Sequence, residues 1–131
     1  MKGRLGAIFD ELAAQLSHQA PDRTPWEHVP VLICVCAIEE GGERPDSTGL
    51  EASIYPAVQN LLLAAHAAGL GSVLTTRWKA REPEVLPLLG LSSGATVYAI
   101  VPLGWPDRRY GRSKRRPVNE LTYRERYGQA W

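Results

Sequence analysis

The sequence predicts an α+β fold, a sheet with helices packed on it. Three observations predict it: an amphipathic helical pattern near the start, two continuous β-branched apolar runs, and an apolar helical run between them that ends on glycine. The chain has 131 residues, 44% of them hydrophobic, which suits one domain with a real core. Residues 1–131 are read as a single domain, because no internal repeat and no dividing linker is visible.

Residues 4–19 carry Leu5, Ile8, Phe9, Leu12, Ala13 and Leu16 at helical spacing, and Pro21 closes the segment. The proline-containing stretch 20–30 reads as a loop. "VLICVCAI", 31–38, reads as a buried strand, since it is continuous and β-branched rather than alternating. Residues 39–51 are polar and turn-rich, hence surface.

A second helix is expected from about Leu50 to Ala68, with Thr48 and Glu51 matching a capping box. Pro56 lies too deep for a regular helix, so the regular part starts near Ser53 or the helix kinks. Ile54, Val58, Leu61, Leu62, Leu63, Ala65 and Ala68 cover nearly its whole circumference, which predicts burial on several sides, one of them by a second subunit. Residues 72–76 then read as a short strand and 81–90 as a short helix ending at Gly90. Residues 95–104 read as a buried strand, and a helical turn closes the chain after the basic segment 107–117.

Composition narrows the function classes. No apolar run approaches a bilayer span, and Asp10 and Glu11 make the N-terminus unlike a secretion signal, so a cytoplasmic protein with no membrane partner is expected. Net charge is only +1, but residues 105–131 hold eight Lys/Arg against three acids. An anion is expected to bind there. Cys34 and Cys36 would share one face of a strand, about 6–7 Å apart, too far for a relaxed disulfide. They read as core thiols in a reducing compartment.

Gly69 and Gly71 raise a sharper question, because G-L-G suggests a nucleotide loop. A dinucleotide-binding G-x-G follows a strand and opens a helix; here the helix comes first and position 74 is Leu. No G-K-[ST] is present either, so both the dinucleotide fingerprint and the P-loop are excluded. Gly69 reads as a helix C′ residue and Gly71 as a tight strand entry. His18, His28 and His66 lack metal-ligand spacing, His66 reads as a core or interface residue, and no G-x-S-x-G elbow occurs. No catalytic side chain and no metal site are expected. Lys114, Arg115 and Arg116, just before Pro117, suit phosphate contact.

Taken together, "ASIYPAVQNLLLAAHAAGLGSVLTT", "VPLGWP" and "RRPVNELTYRERYG" resemble the C-terminal part of the FMN-dependent nitroreductase family, over roughly residues 30–131. The resemblance implies an α/β/α sandwich with a central, mostly antiparallel sheet flanked by helices, forming an intertwined homodimer. It implies FMN at the dimer interface, NAD(P)H as electron donor and a nitroaromatic, quinone or similar small-molecule acceptor reduced by two electrons through flavin N5. Leu74, Thr75 and Thr76, delivered by Gly71, would line the isoalloxazine with backbone groups. Arg115, with Lys114 or Arg116, would bind the FMN phosphate. The family's usual arginine-rich N-terminal helix has no counterpart before Ile8, so a short member is expected.

Two other readings follow from the same residues. A shortened member could be redox-inactive and serve as a flavin or deazaflavin binder or a dimerisation protein. The basic tail could instead bind nucleic acid, although no recognisable nucleic-acid module surrounds it.

Overall fold

A computed structural model describes residues 1–15, 26–38, 47–92, 94–108 and 110–131. The expected end of the first helix, His18, most of the proline-containing loop, residues 39–46, Ser93 and Arg109 lie outside the described residues.

The first helix, α1, spans Lys2–Gln15 and buries Leu5, Ile8, Phe9, Leu12 and Ala13, the stripe its spacing predicts. Gly6 sits on the same side for a steric reason. A Cβ there would lie 2.9 Å from the Cβ of Trp26, whose ring stacks on Phe9 at 4.2 Å. At its start, Lys2 Nζ donates to the carbonyls of Val29 and Pro30 at 2.5 and 2.7 Å, tying α1 to the chain entering β1.

Among the described residues the sheet has three antiparallel strands in the order β1-β3-β2, with β1 at Val31–Ile38, β2 at Gly71–Ser72 and β3 at Ala95–Gly104. The bounds of β1 and β3 match the sequence expectation. β3 is the buried central strand, with Ala95 to Val101 all inside. β1, expected to be fully buried, is a half-buried edge strand whose two end residues are exposed.

The β1–β3 ladder contains a bulge. Val35 pairs with Ala99 but Cys36 pairs with Val97, so Tyr98 has no opposite residue. The extra residue reverses the inside–outside alternation along β3. Val97 and Ile100, three apart, therefore share a face and pack in one core cluster with α1, Trp26, Trp78 and α3 (Glu82–Leu88). Ala99 and Val101 pack on the other face with Val58 of α2 (Ser47–Ala67). Helices thus cover both faces of the sheet, as a three-layer sandwich requires.

In α2, the helix runs through Pro56 and begins at Ser47, so Ser53 is not its start, and the Thr48 side chain of the expected capping box lies outside the described residues. Pro56 leaves the Ala52 carbonyl without its intrahelical donor, and both residues are exposed. Among its described residues only Val58 and Ala65 are buried; Leu63 is 57% exposed, and His66 faces outward as well. Within one chain, α2 is therefore buried along one side, not several, and His66 is not a core residue.

Cys34 and Cys36 face the same core cluster, as their spacing predicts, and both thiols are free. Burial pushes both thiol pKa values up; each also feels a second group, Cys36 for Cys34 and the Glu82 carboxylate for Cys36. Glu82 itself accepts from the Val97 N–H at 3.2 Å. On the surface, Arg81 bridges Glu84 through two hydrogen bonds of 2.5 Å and also bonds Glu11, joining α3 to α1. This holds the Glu84 carboxyl below the ordinary range and raises the guanidinium.

Candidate functional site

The glycine-rich turn is the place to begin. Gly69, at φ +78°, ends α2 in the left-handed region, and Leu70 N–H returns to the Ala65 carbonyl at 2.9 Å. Gly71 then pairs with Gly104 across the β2–β3 ladder. A Cβ on Gly71 would meet Pro106 at 3.3 Å and the Tyr110 hydroxyl at 3.4 Å; one on Gly104 would meet Pro30 at 3.0 Å. The glycines thus let the segment leaving β3 fold back over the turn.

Around this crossing lies a cleft of about 630 Å³, reached by Gly71, Ser72, Val73, Trp105, Tyr110 and His28. Its size falls in the range of small-molecule pockets. Of the residues singled out from the sequence, Gly71 lines it; Leu74, Thr75, Thr76, Lys114, Arg115 and Arg116 do not.

The strand expected at 72–76 is only partly a strand. Gly71–Gly104, Ser72–Leu103 and the isolated bridge Thr75–Ile100 share one register, so Val73 falls opposite Pro102. Proline has no N–H to give, which interrupts the ladder between Ser72 and Thr75. Thr75 restores it: its N–H donates to the Ile100 carbonyl at 3.1 Å and its carbonyl accepts the Ile100 N–H at 3.3 Å. The Thr75 hydroxyl adds a 2.7 Å bond to the same Ile100 carbonyl.

In an antiparallel pair, alternate residues direct their backbone groups toward and away from the partner strand. With Thr75 pointing inward, Leu74 and Thr76 turn their N–H groups to the free edge of the sheet. Among the described residues no hydrogen bond engages the Leu74 backbone or the Thr76 N–H. The Leu74 side chain packs beneath, against the α2 cluster, while Thr76 is exposed. This edge offers donors and an acceptor to a planar heterocycle.

Tyr55 and Lys79 tie this region to the bulge. Lys79 Nζ donates to the Tyr55 hydroxyl at 2.9 Å and lies 3.8 Å from Glu51. Tyr55 in turn reaches the Tyr98 carbonyl at 3.5 Å. The bond to Tyr55 raises the Lys79 pKa, with Glu51 adding to it. The sequence carried no signal for this pair.

Lys114, Arg115 and Arg116 are exposed on the extended segment before Pro117, which precedes a 3-10 turn at Val118–Glu120. Among the described residues none of the three has a carboxylate within ion-pair distance. Cations held close together without counter-charges fit an anionic phosphate. The tail also exposes Tyr127 and Trp131, and Tyr123 packs on Tyr127 at 4.6 Å. Among the described residues there is no group of three potential metal ligands, and no helix is long and apolar enough to cross a membrane.

Residues 5–105 match the model of the nitroreductase family. The match begins earlier than the sequence resemblance and stops before the basic tail. A protein of Desulfovibrio desulfuricans described as a candidate nitroreductase, solved in complex with FMN, is 30% identical; it covers 92% of this chain and 66% of its own, with TM-score 0.66. Oxidised iodotyrosine deiodinase, bound to FMN and 3-iodo-L-tyrosine, is 25% identical over 98% of this chain and 70% of its own, with TM-score 0.68. A candidate NADH oxidase of Clostridium acetobutylicum shares the fold at 22% identity and TM-score 0.66, over 90% of this chain and 71% of its own. The chain spans about two thirds of the length of the first of these structures. With the family model matched from α1 to the end of β3, this chain belongs to the nitroreductase family.

Proposed function

We propose that this protein is an FMN-dependent oxidoreductase that takes two electrons from NAD(P)H and passes them to a nitroaromatic, quinone or similar acceptor. The observation that carries the reading is membership of the family, in which a 30%-identical relative is seen with FMN. The residues present fit that cofactor. Gly71 allows the close turn, Leu74 and Thr76 offer unspent backbone groups, and Thr75 anchors the edge that carries them. Lys114, Arg115 and Arg116 supply positive charge for the phosphate, with Arg115 the favoured contact.

Bound FMN supplies a ring that accepts and donates hydride. The chain's own task is to orient that ring and exclude water, which suits a sequence with no evident catalytic triad. A homodimer is part of the proposal. It gives the exposed face of α2 and the aromatic residues of the tail a partner of matching apolar character, and the all-round apolarity of α2 supports this reading. A cytoplasmic setting agrees with Cys34 and Cys36 as free thiols.

The test is NADPH or NADH oxidation by FMN-loaded protein with a quinone and a nitroaromatic acceptor. Acceptor-dependent turnover supports the reading; tight FMN binding with no turnover favours a flavin-binding protein without redox activity.

A further inference from the structure

The edge formed by Leu74 and Thr76 hangs on one residue. Pro102 breaks the ladder before it and the 3-10 turn Arg77–Arg81 begins just after it, so among the described residues Thr75 alone hydrogen-bonds this edge to β3. The Thr75 carbonyl accepts two donors. One is the Ile100 N–H at 3.3 Å; the other is the Trp78 indole Nε1–H at 3.1 Å. Trp78 is fully buried in the cluster shared by α1, α3 and β3. A buried indole N–H needs an acceptor, and this one is spent on the Thr75 backbone rather than within the core. The indole therefore couples the rigid core to the orientation of the Thr75–Thr76 peptide.

We infer that Trp78 is a positioning residue: through the Thr75 carbonyl it fixes the Thr75–Thr76 peptide, and with it the outward Thr76 N–H, in the geometry that holds the flavin ring. This rests on the proposed function, and it assigns a role to a side chain that touches no cofactor. Without the indole bond the Thr75 carbonyl keeps only its longer bond to Ile100, and the peptide beyond it gains freedom.

The test compares Trp78→Phe, which keeps an aromatic ring in the core, with Val85→Ala, which opens a cavity in the same cluster at a residue that takes no part in the Thr75 hydrogen bonds. Three quantities are read: melting temperature, FMN affinity by fluorescence quenching, and the visible absorption of bound FMN. Trp78→Phe weakens FMN binding by roughly tenfold, the value of one lost hydrogen bond, and shifts the flavin absorption. Val85→Ala lowers the melting temperature at least as far but binds FMN like the parent, with its spectrum unchanged. Parent-like affinity and spectrum in Trp78→Phe overturn the inference, as does equal loss of binding in Val85→Ala.

Should Trp78→Phe fail to fold, β-(3-benzothienyl)alanine placed at position 78 keeps the bicyclic shape and replaces the N–H donor to the Thr75 carbonyl with sulfur, and the same spectral shift is expected. If the parent itself binds no FMN, the proposed function falls. Amide exchange of the cofactor-free protein then decides the coupling separately. A larger rise in exchange, relative to the parent, at Ile100, whose N–H shares the Thr75 carbonyl with the indole, than at Val97 in Trp78→Phe supports it, and no change overturns it.

Discussion

Gly71 and Gly104 stand opposite each other where β2 meets the end of β3, and each is crowded by a proline from elsewhere in the chain. Pro106 approaches the first and Pro30 the second. Three chain segments cross here with no room for side chains. The Gly-Leu-Gly of the sequence therefore serves this crossing, and the edge that it feeds carries the candidate site.

Stability should follow these contacts. Gly104→Ala places a methyl 3.0 Å from the Pro30 ring, whose carbons cannot swing away, and should cost about 1–3 kcal/mol. Gly69→Ala forces a side chain into the left-handed region and should cost about 1–2 kcal/mol. Gly111→Ala meets nothing within 4 Å and should change stability by less than about 0.5 kcal/mol. Urea unfolding of the three variants checks the order.

The thiols predict a loss of stability at alkaline pH. Folding raises the pKa of Cys34 and Cys36 above the ordinary 9.0, so the folded state resists losing their protons. Their contribution is complete below the unfolded value and is lost as pH rises through the folded values. Lys79, also raised, acts in the same direction. Melting temperature should fall as pH climbs past about 9, and less steeply in the Cys34→Ala/Cys36→Ala protein.

The surface network of Arg81 works at the opposite end of the scale. Glu84 is held below its ordinary pKa, so its contribution is present above the unfolded value and disappears as pH falls through the folded one. Arg81→Met should flatten the acid limb of a stability–pH curve. The difference should shrink in high salt, since the pair is exposed.

Much of this architecture was legible in the sequence. β1 and β3 were, because continuous β-branched runs bounded by turn residues leave little choice. The same signal could not say that β1 is an edge strand, since a single run carries no record of its neighbours. The register beyond Ser72 was hidden for a related reason: Pro102 and Val73 are far apart in sequence and meet only through pairing. The bulge at Tyr98 was equally silent, and with it the fact that Val97 and Ile100 share a face. Gly71 and the stretch 74–76, which make up the candidate site, were singled out through the family resemblance. Trp78 and the Tyr55–Lys79 pair were not, because each acts through another residue's backbone or hydroxyl.

The exposed side of α2 predicts assembly. Leu63→Glu puts a charge on the face that the proposed homodimer covers, at a position 57% exposed in the single chain. Light scattering should show the parent as two chains and the variant as one, with its helical content retained.

Positive charge on the tail predicts cofactor affinity. Replacing Lys114, Arg115 and Arg116 together by alanine should weaken FMN binding by at least about 1.5–3 kcal/mol, the value of one charge-assisted hydrogen bond, while riboflavin, which lacks the phosphate, should bind both proteins alike. The three side chains are exposed, so the melting temperature should barely move.

The most direct measurement is a titration of the purified protein with FMN, followed by flavin fluorescence and absorption. The account predicts saturable quenching and a perturbed flavin spectrum at one FMN per chain. Unquenched fluorescence and a free-flavin spectrum at protein concentrations far above those of the cofactor would contradict it.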